Sequence, residues 1–129
     1  MANIIDLKTF LDSRGCLTVM EKVLPFDIKR VYFIYGVDKS TRGKHRHKAT
    51  IQAVISLQGS CEIFVQRPGC PTIENYVMDS PGKCLLLQPE DYHWMSKFTS
   101  DCILIVFASE YFDAADYIYE PYIQIPDED

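Results

Sequence analysis

The sequence predicts an all-β protein, built as an antiparallel sandwich or a small barrel. Short segments rich in β-branched and aromatic residues recur at intervals of roughly ten residues, and Gly and Pro separate them. Long helical periodicity is absent. A chain of 129 residues is enough for one ordinary domain and too short for two. We therefore expect a single domain over residues 1–129.

The predicted strands follow one another as turn residues divide the chain. They comprise residues 28–35, 45–57, 60–66, 72–78, 83–88 and 102–108. The last, CILIVFA, is a continuous apolar run that predicts a strand buried on both faces. Residues 4–12 and the segment after Ser109 are the only places for a short helix. The tail at residues 124–129 should be disordered.

Composition excludes several classes of protein. The net charge of −5 argues against general nucleic-acid binding. No apolar run approaches the roughly 20 residues that a membrane span needs, and the N-terminus has no secretory signal pattern. The cysteines form no CxxC pair, which argues against a disulfide framework and a zinc knuckle; they are Cys16, Cys61, Cys70, Cys84 and Cys102. We expect a cytoplasmic protein with reduced cysteines.

A basic run lies on this acidic chain. Arg42, Lys44, Arg46 and Lys48 fall close together, whereas the tail after Phe112 carries only acidic charges. A basic patch on an acidic protein suits a small anionic ligand better than a polyanion.

Two histidines alternate with these cations in the stretch TRGKHRHKA. Residues i and i+2 of a strand point to the same face, about 6.5 Å apart along the chain. His45 and His47 should therefore share the face that points into a cavity, while Lys44, Arg46 and Lys48 point outward to solvent. The imidazoles and the cations are thus separate features.

One interpretation of the histidine pair is a metal site. Metal-binding cupin barrels carry HxH, then an acidic residue, a glycine and a third histidine on a later strand; the corresponding residues are His45, His47, Gln52, Gly59 and His93. Gln52 stands in place of the acid, and a neutral amide is a poor ligand for a divalent metal beside three neutral imidazoles. The neighbouring cations would also repel a divalent ion. We therefore expect no metal.

The other interpretation uses the imidazoles as acids and bases. Their ordinary pKa of about 6.5 lets them take and return protons near neutral pH. Two such groups on one face could serve adjacent carbons of a sugar ring, as an isomerase requires when it moves a carbonyl to the neighbouring carbon. A phenol or a guanidinium close by would stabilise the oxyanion that develops.

Three runs carry a resemblance to a known family: PFDIKRVYFIYGVD, TRGKHRHK and SDCILIVFASEYFDAADYI. They resemble the nucleotide-sugar 3,4-ketoisomerases, cupin-fold enzymes acting on dTDP-4-keto-6-deoxyglucose, over residues 5–119. The resemblance implies a jelly-roll barrel, a homodimer, and a reaction without metal or other cofactor. It also implies conversion of the dTDP-linked 4-keto-6-deoxy sugar to its 3-keto isomer, for 3-amino-3,6-dideoxyhexoses of surface polysaccharides such as the lipopolysaccharide O-antigen.

The same resemblance implies roles for individual residues. His45 and His47 match the two active-site histidines, and Tyr32 matches the tyrosine that works beside the first of them. Arg42 is implied to contact the pyrophosphate. Gln52 falls where the family also has Gln, and is implied to position substrate.

Two further positions are implied to set the configuration at C4 of the product. They are Arg14, before the early glycine, and His93, on the strand after the late proline. An Arg/His pair resembles the members with a galacto product. The chain departs from the family at Lys44, where an aromatic residue is usual, and at Arg46, where Ala or Ser is usual. If strand alternation holds, both departures flank the catalytic strand rather than face the substrate.

The residues leave two other functions open. A sugar-nucleotide 3,5-epimerase also uses a histidine base in a β-barrel, but it needs a proton donor on the opposite face of the sugar ring. A non-enzymatic cupin module would only bind an anionic sugar or a metal ion. Product analysis separates the two enzymes, and metal analysis tests the third class.

Overall fold

The computed structural model describes residues 2–124 and confirms the all-β prediction. It contains two five-stranded antiparallel sheets and a separate two-stranded hairpin. The strands are β1 Asn3–Asp6, β2 Lys8–Asp12, β3 Gly15–Val19, β4 Arg30–Ile34, β5 Arg42–His47, β6 Gln52–Gln58, β7 Cys61–Gln66, β8 Glu74–Met78, β9 Lys83–Leu87, β10 Tyr92–Ser96, β11 Ile103–Ala108 and β12 Tyr117–Ile118, with one turn of 3-10 helix at Ala114–Asp116. Within residues 2–124, no helix has the length and apolar character to cross a membrane.

The two sheets pack face to face. The first has the order β1-β9-β6-β11-β4 and the second has the order β12-β5-β10-β7-β8, while β2 pairs only with β3. Alternate residues of each strand point into the space between the sheets. The core there is formed by fully buried side chains from both sheets, among them Val54, Leu85, Leu104, Val106, Ile63, Val65 and Met95.

The prediction of a single strand over residues 45–57 is wrong. The chain leaves the second sheet after β5, turns through residues 48–51 and enters the first sheet as β6. In this turn the backbone N–H of Ala49 donates to Asp116 Oδ1, and that of Ile51 donates to Ser109 Oγ. These groups are therefore satisfied outside the sheets. The turn contains neither Gly nor Pro, so the sequence pattern did not reveal it.

Residues 4–12, one of the two places where the sequence allowed a short helix, instead form β1 and β2. Ile4 packs against the core between the sheets and Ile5 packs against the outer side of the first sheet. This is the alternation of a strand. The alternative place for a short helix, after Ser109, holds the 3-10 turn. Residue 124 is described, and the predicted disorder of residues 125–129 lies outside the described residues.

The outer face of the first sheet is apolar as well. The segment after β3 covers part of it through Met20, Leu24 and Phe26. Towards β4 this cover ends, and Val31 and Phe33 are 44% and 58% exposed. The outward residues of β11 are only half-buried, whereas the sequence predicted burial on both faces.

Candidate active site

A cavity of about 300 Å³ lies where β4, at the edge of the first sheet, meets β5 and β10 of the second. Its lining combines guanidinium, imidazole and phenol groups with apolar walls: Arg30, Tyr32, Ile34, Arg42, Gly43, His45, His93, Met95, Phe112 and Tyr117. Such a lining can bind a polar anionic ligand and exchange protons with it.

Three imidazoles form a cluster at this cavity. The ring centres of His45 and His47 are 5.0 Å apart, and those of His45 and His93 are 4.9 Å apart. Tyr117 packs against both His45 and His47, with its ring centre 4.9 Å from that of His45 and 4.5 Å from that of His47. The prediction that His45 and His47 lie on one face of the strand is confirmed. Within residues 2–124, no group of His, Cys, Asp and Glu side chains is arranged to hold a metal ion.

A β-bulge precedes the two histidines of β5. His93 of β10 pairs with His45, but the next residue, Trp94, pairs with Gly43, so that Lys44 is an extra residue on its strand. Gly43 and Lys44 both have a left-handed backbone, with φ of 89° and 60°. A Cβ atom at Gly43 would lie 3.1 Å from the carbonyl oxygen of His93. Glycine therefore permits both the backbone conformation and the close approach of β10.

The bulge decides where Arg42 points. Strict alternation along β5 would place Arg42 on the outward face, with Lys44 and Arg46. The extra residue reverses the alternation, and Arg42 lines the cavity together with His45. The role implied for Arg42 at the pyrophosphate stays a prediction, but its side chain lies on the side of the ligand cavity.

Arg46 does not point freely into solvent. Its guanidinium donates to Glu90 and to the hydroxyl of Tyr122, and it lies 4.3 Å from the centre of the Tyr122 ring. The side chain is only 16% exposed. The prediction of an outward, solvated Arg46 is wrong in this respect, because the C-terminal segment covers that face of β5. Lys44 and Lys48 are exposed as predicted.

The segment after β11 brings Asp116 to the turn between β5 and β6. Asp116 Oδ2 lies 2.8 Å from His47 Nδ1 and also accepts from the hydroxyl of Thr50, while Oδ1 accepts from the backbone N–H of Ala49 at 2.7 Å. Burial raises the pKa of Asp116, but these hydrogen bonds outweigh it and hold the pKa below its ordinary value. The carboxylate is therefore ionised at neutral pH.

Three polar side chains of the first sheet lie together beside the cavity. Arg30 and Gln52 are both in register with Ala108, on either side of β11. Gln52 Nε2 donates to the hydroxyl oxygen of Tyr32 at 2.7 Å. Burial raises the pKa of Tyr32 to about 12. Its hydroxyl therefore keeps its proton and can donate it to another acceptor.

Three buried polar atoms in this region have no hydrogen-bond partner within residues 2–124: Arg30 Nε, His47 Nε2 and Gln52 Oε1. Buried polar atoms in proteins are nearly always paired. Arg30 also forms no ion pair in the described part of the chain; its guanidinium lies over the rings of Tyr32 and Phe112, at 5.1 and 5.7 Å. These atoms are available to hydrogen-bond with a polar ligand or with water.

The three imidazoles are neutral at pH 7. Burial, assisted by the neighbouring His47, lowers the pKa of His45 to about 4. Burial, assisted by His45, lowers the pKa of His93 to about 3. Burial also lowers the pKa of His47, although the hydrogen bond and charge of Asp116 act in the opposite direction. Each neutral ring has one unprotonated nitrogen, so each can accept a proton.

The buried His93 should make the fold sensitive to acid. In the unfolded chain its pKa is near 6.5, whereas in the folded chain it is about 3. Between these values the unfolded state binds more protons, so the free energy of unfolding falls as the pH falls. We expect His93 to account for about 2 kcal/mol of lost stability between pH 7 and pH 5.

Urea unfolding of the wild-type chain and of His93→Gln at these two pH values measures that contribution. The variant should lose less stability than the wild type over the same interval. Identical losses in the two proteins would contradict a neutral, buried His93.

Four of the seven predicted site residues line the cavity: Tyr32, Arg42, His45 and His93. His47 packs against His45 and Gln52 donates to Tyr32, whereas Arg14 lies elsewhere. Arg14 lies at the turn of the β2–β3 hairpin, where its guanidinium donates to Asp12 at 2.7 Å. Its side chain is 88% exposed. Within one chain it lines a different surface, and its implied role in setting the configuration at C4 stays a prediction.

Arg30 and Asp116 lie at the site although no sequence motif marks them. Arg30 stands two residues before Tyr32 on a predicted strand, so strand alternation could have placed both on the inward face. Asp116 is 69 residues from His47. No local pattern connects them, and only the tertiary fold brings them together.

Comparison with known proteins gives the family. The family model FdtA (WxcM-like, C-terminal) matches residues 1–125. The chain belongs to the FdtA family. A curated relative from Aneurinibacillus thermoaerophilus, TDP-4-oxo-6-deoxy-alpha-D-glucose-3,4-oxoisomerase, is 40% identical over 118 residues, covering 89% of this chain and 84% of the relative. The resemblance of this FdtA-family chain to the 3,4-ketoisomerases is confirmed.

Solved structures of two 3,4-ketoisomerases are similar to this FdtA-family chain. QdtA from Thermoanaerobacterium thermosaccharolyticum, as a His-to-Asn mutant in complex with TDP-4-keto-6-deoxyglucose, is 40% identical with a TM-score of 0.86, covering 92% of this chain and 87% of that one. WlaRA from Campylobacter jejuni, a TDP-fucose-3,4-ketoisomerase, is 33% identical with a TM-score of 0.82. The match covers 92% of this chain and 89% of WlaRA. The predicted cupin-type sandwich is confirmed.

Proposed function

We propose that this chain is a 3,4-ketoisomerase that converts TDP-4-keto-6-deoxyglucose to the 3-keto isomer without a metal ion. The observation that carries the proposal is the pair of neutral imidazoles, His45 and His47, on one face of β5 at a cavity with unpaired polar groups. The family and the ligand named with QdtA support the choice of substrate.

The proposed reaction moves protons and needs no external electrons. A base removes the proton from C3, which carries a hydroxyl group next to the 4-keto group, and an enediolate forms. A proton is then returned to C4, so that the electron pair of the broken C3–H bond ends in the new C4–H bond. The C3 hydroxyl gives up its proton as its oxygen becomes the ketone, and the former C4 carbonyl oxygen takes up a proton to become the hydroxyl. His45 and His47 supply the proton acceptor and the proton donor for these steps.

Tyr32 and Gln52 act as a unit in this proposal. The Gln52 amide donates to the oxygen of Tyr32, which leaves the hydroxyl proton of Tyr32 for a sugar oxygen. Because the pKa of Tyr32 is about 12, the hydroxyl donates a hydrogen bond without losing its proton at neutral pH. The unpaired Gln52 Oε1 accepts from a sugar hydroxyl.

The two arginines of the cavity take different anionic groups. Arg42, near the end of β5 that the bulge turns inward, binds the diphosphate. Arg30 lies against the ring of Tyr32, and it stabilises the oxyanion of the enediolate.

The decisive experiment is incubation with TDP-4-keto-6-deoxyglucose in deuterated buffer, followed by NMR of the sugar. We expect a 3-keto product with deuterium at C4, and the same rate after treatment with a chelator. Deuterium at C3 and C5 with the ketone still at C4 would indicate a 3,5-epimerase. An unchanged sugar that remains bound would indicate a binding module.

We also propose that the product is galacto-configured and is made in the cytoplasm. His93 lies in the cavity beside His45, and the similar WlaRA is described as a TDP-fucose-3,4-ketoisomerase, fucose being a galacto sugar. The proton couplings at C4 of the product distinguish galacto from gluco. Addition of a 3-aminotransferase should convert the product to a 3-amino-3,6-dideoxyhexose, the class of sugar used in surface polysaccharides such as the O-antigen.

We further propose that the enzyme is a homodimer. An apolar surface remains uncovered on β4 and on the β2–β3 hairpin, with Phe33, Phe10 and Leu17 each more than half exposed. Large exposed apolar patches mark interaction surfaces. A second copy would cover them, and we assign Arg14 of its hairpin to the cavity, because Arg14 does not reach the cavity of its own chain.

Mixed dimers test this assignment. If Arg14 acts across the interface, a mixed dimer of an Arg14→Ala chain and an inactive His45→Asn chain contains one site in which both residues are intact. Random mixing in equal amounts should give the wild-type C4 product at about a quarter of the wild-type rate. No recovery, with mixed dimers demonstrated by native mass spectrometry, would show that both residues serve the same chain's site.

A further inference from the structure

The chain after the 3-10 turn forms a segment, residues 117–123, that we call the C-terminal strap. It begins as β12, which pairs with β5 over only two residues. It ends at Gln66, the last residue of β7, where the backbone N–H of Tyr122 donates to Gln66 Oε1 at 2.9 Å and Gln66 Nε2 donates to the carbonyl of Ile123 at 2.9 Å. The strap therefore reaches from the edge of the second sheet to its fourth strand.

Arg46 of β5 holds the middle of the strap. Its Nε donates to the carbonyl of Glu120 at 3.3 Å, and its guanidinium donates to the hydroxyl of Tyr122 at 2.7 Å. The guanidinium also pairs with the carboxylate of Glu90, whose backbone N–H donates to the carbonyl of His47 at 2.8 Å. Hydrogen bonds of a charged guanidinium are stronger than neutral ones, so Arg46 is a substantial anchor for a segment whose own strand is very short.

The strap places two aromatic rings beside the imidazoles. Tyr117 lines the cavity and packs against His45 and His47. Tyr119 stacks on Tyr117, with ring centres 6.2 Å apart and an interplanar angle of 20°, and its ring centre lies 6.3 Å from that of His45. Tyr119 is 68% exposed and directly precedes the residue whose carbonyl accepts from Arg46. Its position therefore depends on the strap more than on burial in the core.

We propose that Arg46 is a positioning residue, which holds Tyr119 through the strap and so keeps an ordered aromatic wall beside the sugar. The proposal rests on the proposed function, because it takes the cavity to bind a TDP-linked sugar. Arg46 does not line the cavity, so its effect on the ligand passes through the strap. A ring that is ordered before binding spares the ligand the cost of ordering it. Arg46 therefore acts on the affinity for the sugar and not on the proton transfers.

Arg46 also stabilises the fold, and Arg67 provides a matched control for that role. The side chains of Arg46 and Arg67 are 16% and 18% exposed, and each pairs with a glutamate. Arg67 bonds to Glu74 and to the carbonyl of Ala2, neither of which belongs to the strap or lines the cavity. Arg67→Met should therefore lower the melting temperature, as Arg46→Met does, without loosening the strap.

The first test is hydrogen exchange in the ligand-free protein, read by mass spectrometry of a peptide that contains residues 117–123. Arg46→Met should speed exchange of this peptide by about 10-fold, because local opening of the strap becomes easier. Arg67→Met should leave the rate unchanged, and Arg46→Lys, which keeps the charge opposite Glu90, should give an intermediate rate. An unchanged rate in Arg46→Met would overturn the proposal. This measurement needs no turnover, so it is independent of the proposed substrate.

The second test is kinetic, with TDP-4-keto-6-deoxyglucose as the substrate. Arg46→Met and Tyr119→Ala should each raise KM by about 5- to 10-fold and leave kcat within about twofold of the wild type. The double variant should have the KM of Tyr119→Ala alone, because the two residues act through one chain of contacts. An unchanged KM in Arg46→Met, or an equal rise in Arg67→Met, would reduce Arg46 to a structural role.

The proposed function and the role of Arg46 can fail separately. If the wild type does not convert the sugar, the isomerase function fails, while the exchange rates still decide whether Arg46 holds the strap. If the wild type converts the sugar but the two increases in KM multiply in the double variant, the isomerase function stands and the route through Tyr119 is refuted.

Discussion

Replacing either His45 or His47 with Asn should abolish deuterium uptake into the sugar ring while the fold persists. An amide cannot accept a proton near neutral pH, so the step at C3 or the step at C4 loses its catalyst. Loss of one acid or base typically costs about 10²- to 10⁴-fold in rate, and we expect at least the middle of that range for each variant. Mass spectrometry of the sugar nucleotide after incubation in deuterated buffer measures the uptake.

The neighbouring Lys48 offers a matched control. It is exposed and follows His47 directly, so Lys48→Ala should leave exchange unchanged. Circular dichroism and thermal unfolding should show that both histidine variants remain folded. Full exchange in His45→Asn or in His47→Asn would refute the proton-transfer assignment of that residue.

Replacing Arg30 with Met should separate activity from stability. The guanidinium lies half-buried on the cavity wall without an ion-pair partner in the described chain, so its removal costs the ligand-free fold no electrostatic pairing. We expect unchanged or slightly higher thermal stability. Without the cation the developing oxyanion loses its stabilising charge, and kcat should fall by about 10²- to 10³-fold.

Arg67 provides the opposite control. It directly follows β7 of the second sheet, does not line the cavity, and pairs with Glu74. Arg67→Met should therefore lower stability and leave kcat unchanged. Comparison of kcat and melting temperature in the two variants tests both expectations. An Arg30→Met enzyme with wild-type kcat would place the anion-binding role on another group.

Much of the site was predictable because β-strand geometry is local. The alternation of His45 and His47 fixed a common face for the two rings, and the structure brings them to one cavity. The bulge at Lys44 was not predictable in this way, because an extra residue in a ladder depends on the partner strand. Without it, alternation assigns Arg42 to the wrong side of the strand.

The errors in the fold have a similar origin. The local sequence of residues 4–12 is compatible with either a helix or a strand. Pairing with β9 makes the first part of this segment the strand β1. The division of residues 45–57 into two strands depends on Asp116 and Ser109, which bind the turn from far along the chain. Tertiary partners, rather than local preferences, decided both elements.

The late position of Asp116 in the chain has a consequence for the order of folding. The main strands of both sheets are complete at Ala108, whereas Phe112, Asp116 and Tyr117 follow. A polypeptide emerging from the ribosome can therefore pair its main strands before the segment that carries these residues has been made. The contact between Asp116 and His47 closes a loop of 69 residues, so it is one of the long-range contacts that slow folding. Because Phe112 and Tyr117 line the cavity, the last part of the chain to be synthesised completes its wall.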